Sequence, residues 1–241
     1  AVFDYDGVMF SQEHTRSSIL CTPDHRWPIE KRRGKMVIER AWQLDYSDRF
    51  ISTGDFQGDE SILCPRDAAI LGWIVTDGYM RYKRGKFREA LIYQSPKKFL
   101  RNILDLVGPD GKAGKPHPVT GVIPIRLSAE YLHRFDGLYR DKNDLLGLVG
   151  KLSRESAEAM WTAMFMAEGT TAKRHSERSF TQNVGPVLDA FHMLCVMTGK
   201  DGSIARRYVA GKLSDKQAGI NMRKHRTMYR PWETKWYRGK V

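Results

Sequence analysis

Cysteine is scarce: Cys21, Cys64 and Cys195 are the only thiols in 241 residues, odd in number and without a CxxC pair. That argues against a disulfide framework and a cysteine-based structural zinc site, and it fits a reducing compartment. No apolar run approaches the ~20 residues of a membrane span, and no signal peptide opens the chain. The seven histidines include no i,i+4 pair, so a histidine zinc site is not supported either. Acid is short relative to base, with 28 Asp and Glu against 40 Lys and Arg, a formal net charge of +12. Such an excess favours polyanionic partners, because each phosphate neutralised releases counterions. Hydrophobic residues at 41% and charged residues at 28% are ordinary for a globular chain, and the length allows one large or two modest domains. The chain opens on Ala1 rather than Met and is expected to be a piece of something longer.

Residues 1–63 read as short strands. Residues 2–10 suggest a hairpin about Asp6-Gly7, and 17–30, 35–44 and 49–54 continue the β character. At Cys64 the pattern becomes helical. Pro65 stands at a first helical position and an apolar run leads to Asp77-Gly78. Strands are expected at 79–84 and 88–94, a helix at 96–108, a Gly- and Pro-rich loop to 121, a strand at 122–128 and a short helix at 129–135. The order then recurs: a helix at 153–169 with Ser153 as N-cap, strands at 170–175 and 178–182, a helix at 184–199, and extended segments at 204–211 and 219–226. A repeated unit of helix, strand, strand, helix, strand points to internal duplication.

The two leading helices match closely. Gly72 and Thr76 lie on one face at i and i+4, as do Ala163 and Ala167. Small residues at that spacing let helix axes approach until backbone lies on backbone. Packed on those faces, both helices end side by side and bring Asp77 near Glu168. A carboxylate at a helix C-terminus opposes the macrodipole, and two together repel unless a cation lies between them. A divalent metal is the natural counter-charge, and it could activate water at a phosphodiester. Each following glycine, taken alone, would be the left-handed residue that ends a helix.

Both segments resemble the signature helices of the LAGLIDADG homing endonucleases in their single-chain form, over roughly residues 65–226. The resemblance implies an α+β fold of two pseudo-symmetric αββαββα halves with saddle-shaped antiparallel sheets, at about 64–140 and 153–226. It implies Mg²⁺, with Mn²⁺ as a substitute, at Asp77 and Glu168 with the adjoining Gly78 and Gly169. Glu168 stands where the family more often has Asp, which is expected to keep metal binding while slowing or unbalancing strand cleavage. Gln94 and Gln182 match a family glutamine near the catalytic water network. Lys98 fits the basic residue four positions later, where the second half has Pro186. Lys224 is a stand-in for the family's peripheral catalytic lysine.

Strand alternation groups Arg81 with Lys83, and Arg88 with Ile92 and Gln94, as readers of base edges. In the second half Lys173 and His175, with Arg178 and Gln182, take that part. Arg to guanine and Gln to adenine are the natural pairings.

Outside the repeat, Thr22 and His25, three positions apart, resemble an intein splicing motif, and residues 232–241 resemble the approach to C-terminal splicing strands. An endonuclease at 64–226 inserted in a β-rich partial splicing domain (1–63, returning at 227–241) fits that layout. With no nucleophile at its start and no His-Asn pair at its end, the chain is not expected to splice. Asp4-Tyr5-Asp6-Gly7 is similar to a haloacid-dehalogenase-type phosphatase motif, but no room exists for that core before the partner motif at 54–59. The loop at 108–116 lacks the spacing of a phosphate loop. The expected function is site-specific, Mg²⁺-dependent double-strand cleavage of a long asymmetric DNA target by a cytoplasmic monomer, at the nucleoid or in a phage-infected cell, with no protein partner. The alternatives are a non-cleaving DNA- or RNA-binding relative and a degenerate intein insert.

Overall fold

The computed structural model describes all residues except 1–5, 15, 16, 33, 46, 52–60, 84, 85, 172–177, 210, 211, 224–227, 230–232 and 241. The chain begins with strands β1 (Asp6–His14), β2 (Ser17–Cys21), β3 (Arg26–Glu30), β4 (Met36–Arg40) and β5 (Arg49–Ile51). Helix α1 (Pro65–Asp77) leads to β6 (Gly78–Lys83), β7 (Lys86–Gln94), α2 (Leu100–Val107), β8 (Gly111–Ala113) and β9 (Ile123–Leu127). Then come α3 (Ala129–Leu132), α4 (Leu145–Val149), α5 (Arg154–Glu168), β10 (Gly169–Thr171), β11 (Arg178–Asn183) and α6 (Pro186–Met197). Strands β12 (Asp201–Val209), β13 (Lys212–Arg223), β14 (Met228–Tyr229) and β15 (Glu233–Lys240) close the order.

Two compact units result, one of Ala1–Gly54 with His225–Val241 and one of Asp55–Lys224. In the first, β1 pairs with both β2 and β15, and β3 pairs with both β4 and β5. Asp6-Gly7 is not a hairpin turn. These two residues open β1 opposite Lys240 and Gly239, a pairing with a distant strand that a local turn signal cannot anticipate. Ile29 and Ala41 are buried, and Trp27 meets Phe50 edge-on at 5.5 Å between ring centroids.

The second unit is α+β, with two four-stranded antiparallel sheets ordered β6-β7-β9-β8 and β10-β11-β13-β12. One core runs through it: Ile70, Leu71 and Ile74 from α1, Met160 and Met164 from α5, Ile92 and Ile125 from the first sheet, and Phe180 from the second. Phe180 stacks on Phe191 of α6 with centroids 3.8 Å apart. Pro65 begins α1, and the Ser153 hydroxyl accepts from the Ser156 N–H to cap α5. The helix expected at 96–108 begins only at Leu100, because the chain turns first, with Lys98 N–H donating to the Ser95 carbonyl at 3.1 Å. Strand β8 and helix α4 fall where the sequence suggested only loop or linker. Among the described residues no helix is long and apolar enough to cross a membrane.

One acid is buried for structural reasons. Asp67, in the first turn of α1, accepts from the Tyr131 hydroxyl at 2.7 Å and from Arg134 at 3.3 Å. Burial first, then the bond to Asp67, drives the Tyr131 phenol well above its ordinary range.

Candidate active site at the ends of two packed helices

Helices α1 and α5 pack against each other. A Cβ placed on Gly72 would stand 3.0 Å from the Met160 carbonyl oxygen and 3.1 Å from the Ala163 Cβ, so the backbones approach closely at this glycine. The Thr76 hydroxyl donates to the Gly72 carbonyl at 2.8 Å, which satisfies it within its own helix. Ala167 packs, half-buried, against the same core.

Asp77 is the last residue of α1 and Glu168 the last of α5, and neither helix has a basic residue in its final turn. Both carboxyls are pushed above the usual carboxylate range. For Asp77 the cause is burial, opposed by the charge of Lys98 and a hydrogen bond from Gln94. For Glu168 it is burial and then the charge of Asp77, opposed again by Lys98. Glu168 therefore feels the charge of Asp77, and one lysine acts on both.

Gln94 ends β7 and is nearly buried. Its amide donates to Asp77 Oδ2 at 3.2 Å while its carbonyl accepts from the Ser95 N–H at 2.8 Å, which fixes the side chain at both ends. Gln182 repeats only half of this: its carbonyl accepts from the Asn183 N–H at 2.9 Å. Among the described residues no side chain donates to Glu168. Pro186 stands at the start of α6, so the second half has no counterpart of Lys98 there. Lys98 itself lies exposed in the turn before α2. Lys173, His175 and Lys224 lie outside the described residues.

Gly78 and Gly169 directly follow the acids, but neither is left-handed, with φ of −148° and −81°. Close approach is what requires them. A Cβ on Gly78 would fall 2.2 Å from the Leu91 carbonyl oxygen, and one on Gly169 would fall 2.3 Å from that of Phe165. Helix and strand join here without room for a side chain.

No three His, Cys, Asp or Glu residues stand together as a metal cage among the described residues. Two carboxylates without imidazole or thiolate suit a hard cation that keeps most of its shell as water and phosphate oxygen, as Mg²⁺ does. The raised proton affinity of both acids comes first from burial, and a bound cation would offset it.

The sheet face turned away from the helices differs from the one alternation suggested. Glu89, Leu91 and Tyr93 of β7 lie there beside Tyr79 and Arg81 of β6, while Ile92 is fully buried against the helices and Gln94 turns to Asp77. The register slips between Arg81 and Tyr82 and leaves Arg88 without a cross-strand partner, so the bulge breaks the parity that grouped it with Ile92. Lys83 is exposed at the end of β6. In the second sheet, Arg178 and Gln182 share a face with buried Phe180, and the Arg178 guanidinium lies over the Phe165 ring at 5.8 Å. The opposite face of β11 carries Ser179, Thr181 and Asn183 instead.

No family model matches the chain, and no curated protein matches it. Solved structures do. I-DmoI in complex with DNA and Ca aligns over 68% of this chain and 85% of its own, at 15% identity and a TM-score of 0.46. Mesophilic variants of the homing endonuclease I-DmoI align over 66% and 89%, at 16% identity and a TM-score of 0.44. Full-length DUF199/WhiA from Thermatoga maritima aligns over 67% of this chain and 53% of its own, at 12% identity and a TM-score of 0.42. Every one of these likenesses is distant, and the functional reading rests on the site itself.

Glu89, Tyr79 and Arg126 escaped the sequence reading. Only cross-strand register joins them, and the sole local signal was an acid directly after a basic residue on β7.

Proposed function

We propose that this chain is a LAGLIDADG-type endonuclease that cuts both strands of duplex DNA at a specific site with Mg²⁺, or Mn²⁺ in its place. The observation that carries the reading is the pair Asp77 and Glu168, set at the ends of two helices packed at Gly72 and Ala163 and balanced by one lysine. Asp77 and Glu168 would hold the metal, with Gly78 and Gly169 lining the same junctions. Bound there, Mg²⁺ would supply a counter-charge for phosphate oxygens and an activated water.

The chain's own residues do the rest. Gln94 holds the rotamer of Asp77 through the hydrogen bond from its side-chain amide. Lys98 adds positive charge beside both acids, which favours their ionised forms and the approach of a phosphate. Both carboxylates come from one chain, which supports action as a monomer of two pseudo-symmetric halves. The net charge of +12 supports a broad phosphate interface. Thr22 and His25 support a splicing-domain remnant in the β-rich unit, where His25 N–H donates to the Thr22 carbonyl at 3.1 Å and closes the motif into one turn.

A second reading, DNA binding with at most one strand cut, is favoured by Glu168, which among the described residues receives no side-chain hydrogen bond of the kind Gln94 gives Asp77. Cleavage of a plasmid library of randomised targets with Mg²⁺, run beside Asp77→Asn, tests both. Linear product from the wild type alone supports the endonuclease. Nicked circles alone support the second reading, and equal cutting by both proteins removes the catalytic claim.

A further inference from the structure

On the outward face of the first sheet, one carboxylate gathers a tyrosine hydroxyl and two guanidinium ion pairs from the two strands that flank its own. Glu89 of β7 receives Arg81 of β6 on Oε2 at 3.4 Å and Arg126 of β9 on Oε1 at 3.1 Å. The Tyr79 hydroxyl donates to Oε2 at 3.0 Å, and its ring stacks on Tyr93 with centroids 6.2 Å apart. Register explains the geometry. Arg81 is the direct cross-strand partner of Glu89, whereas Arg126 pairs with Leu91 and reaches Glu89 diagonally. The Glu89 side chain is only 15% exposed, while those of Arg81 and Arg126 are 63% and 68% exposed.

We propose that Glu89 is a specificity-determining positioning residue, which holds Arg81 and Arg126 as a paired fork that reads two guanines in the DNA major groove. The proposal rests on the DNA-binding reading above. A carboxylate on a face that meets phosphates weakens non-specific attraction, so its presence there calls for a gain elsewhere. The gain is order. An arginine already held in place loses less rotamer freedom on binding, and an ion pair through one Nη leaves each guanidinium further N–H donors to offer. Two parallel N–H donors match guanine O6 and N7. Because both guanidinium groups touch one carboxylate, their targets lie within about two base steps, at ~3.4 Å of rise per step.

Selection of bound duplexes from a randomised library, with wild type, Arg81→Ala, Arg126→Ala, Glu89→Ala and Glu89→Gln, tests this. The wild type should enrich guanine at two nearby positions. Arg81→Ala should lose one preference, Arg126→Ala the other, each by roughly tenfold. Glu89→Ala should weaken both together while non-specific affinity rises, and isosteric Glu89→Gln should fall between wild type and Glu89→Ala. Unchanged preferences in Glu89→Ala, or a uniform loss across all sequences, would overturn the fork while leaving DNA binding intact. A wild type that binds no duplex would overturn both the fork and the reading beneath it.

Discussion

Gln94 donates its side-chain amide to Asp77 at 3.2 Å, and no described residue does the same for Glu168. The two acids occupy matched helix ends but differ in support. Removing the donor from Asp77 should therefore matter more than removing its counterpart. Gln94→Ala is expected to slow cleavage about 10–100-fold, the range for groups that orient a metal-binding carboxylate. Gln182→Ala should cost clearly less. Single-turnover assays with each strand labelled separately check the order; equal losses for both variants would show that the hydrogen bond to Asp77 has no special role.

Lys98 opposes the protonation of both acids. With folded-state proton affinities raised by burial, the acids must lose protons before they can bind metal, and Lys98 eases that loss. In Lys98→Met both should stay protonated to higher pH, so the acid limb of the cleavage rate moves to higher pH. The same sign governs stability: an acid whose folded value is raised contributes stability at low pH that is lost as pH rises through that value. Metal-free Asp77→Asn should thus gain stability over wild type at neutral pH, and the gain should shrink on acidification. Rate–pH profiles and thermal melts read these outcomes, and an acid limb that does not move would detach Lys98 from the site.

Gly72 lies where the helices approach closely, 3.1 Å from a would-be Cβ to that of Ala163. Gly72→Val should cost roughly 1–3 kcal/mol through overpacking and should part the acids it brings together. A lower denaturation midpoint with lost cleavage is expected. A variant as stable and as active as wild type would mean the helix contact does not set the site.

Tyr131→Phe removes the 2.7 Å bond to buried Asp67, which lies in the first turn of α1 while Asp77 ends it. A loss of about 1–3 kcal/mol is expected from the buried carboxylate oxygen left without its donor, with cleavage unaffected at temperatures where the protein stays folded. Urea titration measures the first and a strand-cleavage assay the second.

The paired helices, their small faces and the terminal acids were legible because each is a local pattern repeated in the chain. Apolar spacing and the Asp-Gly and Glu-Gly ends mark them without tertiary information. The role of Gly78 was not legible. Sequence suggests a left-handed turn, whereas the residue is extended and lies against the Leu91 carbonyl, a contact made only once β6 pairs with β7. The face of Arg88 was misread for a related reason: a one-residue bulge reverses parity and leaves no mark in composition. Alternation grouped Arg178 with Gln182 as readers of base edges; they do share a face, but it is that of buried Phe180, and the Arg178 guanidinium lies over the Phe165 ring. The Glu89 cluster needs three strands in register, and no single segment announces it.

The central claim is that Asp77 and Glu168 form one metal-dependent cutting centre. Strand-resolved cleavage of a selected target, with Mg²⁺ titrated, in wild type, Asp77→Asn and Glu168→Gln tests it most directly. The account predicts Mg²⁺-dependent cutting of both strands by the wild type, with each single variant losing or severely slowing cleavage while still binding the target. Cutting at wild-type rates by either variant, or cutting that continues without divalent metal, would contradict it.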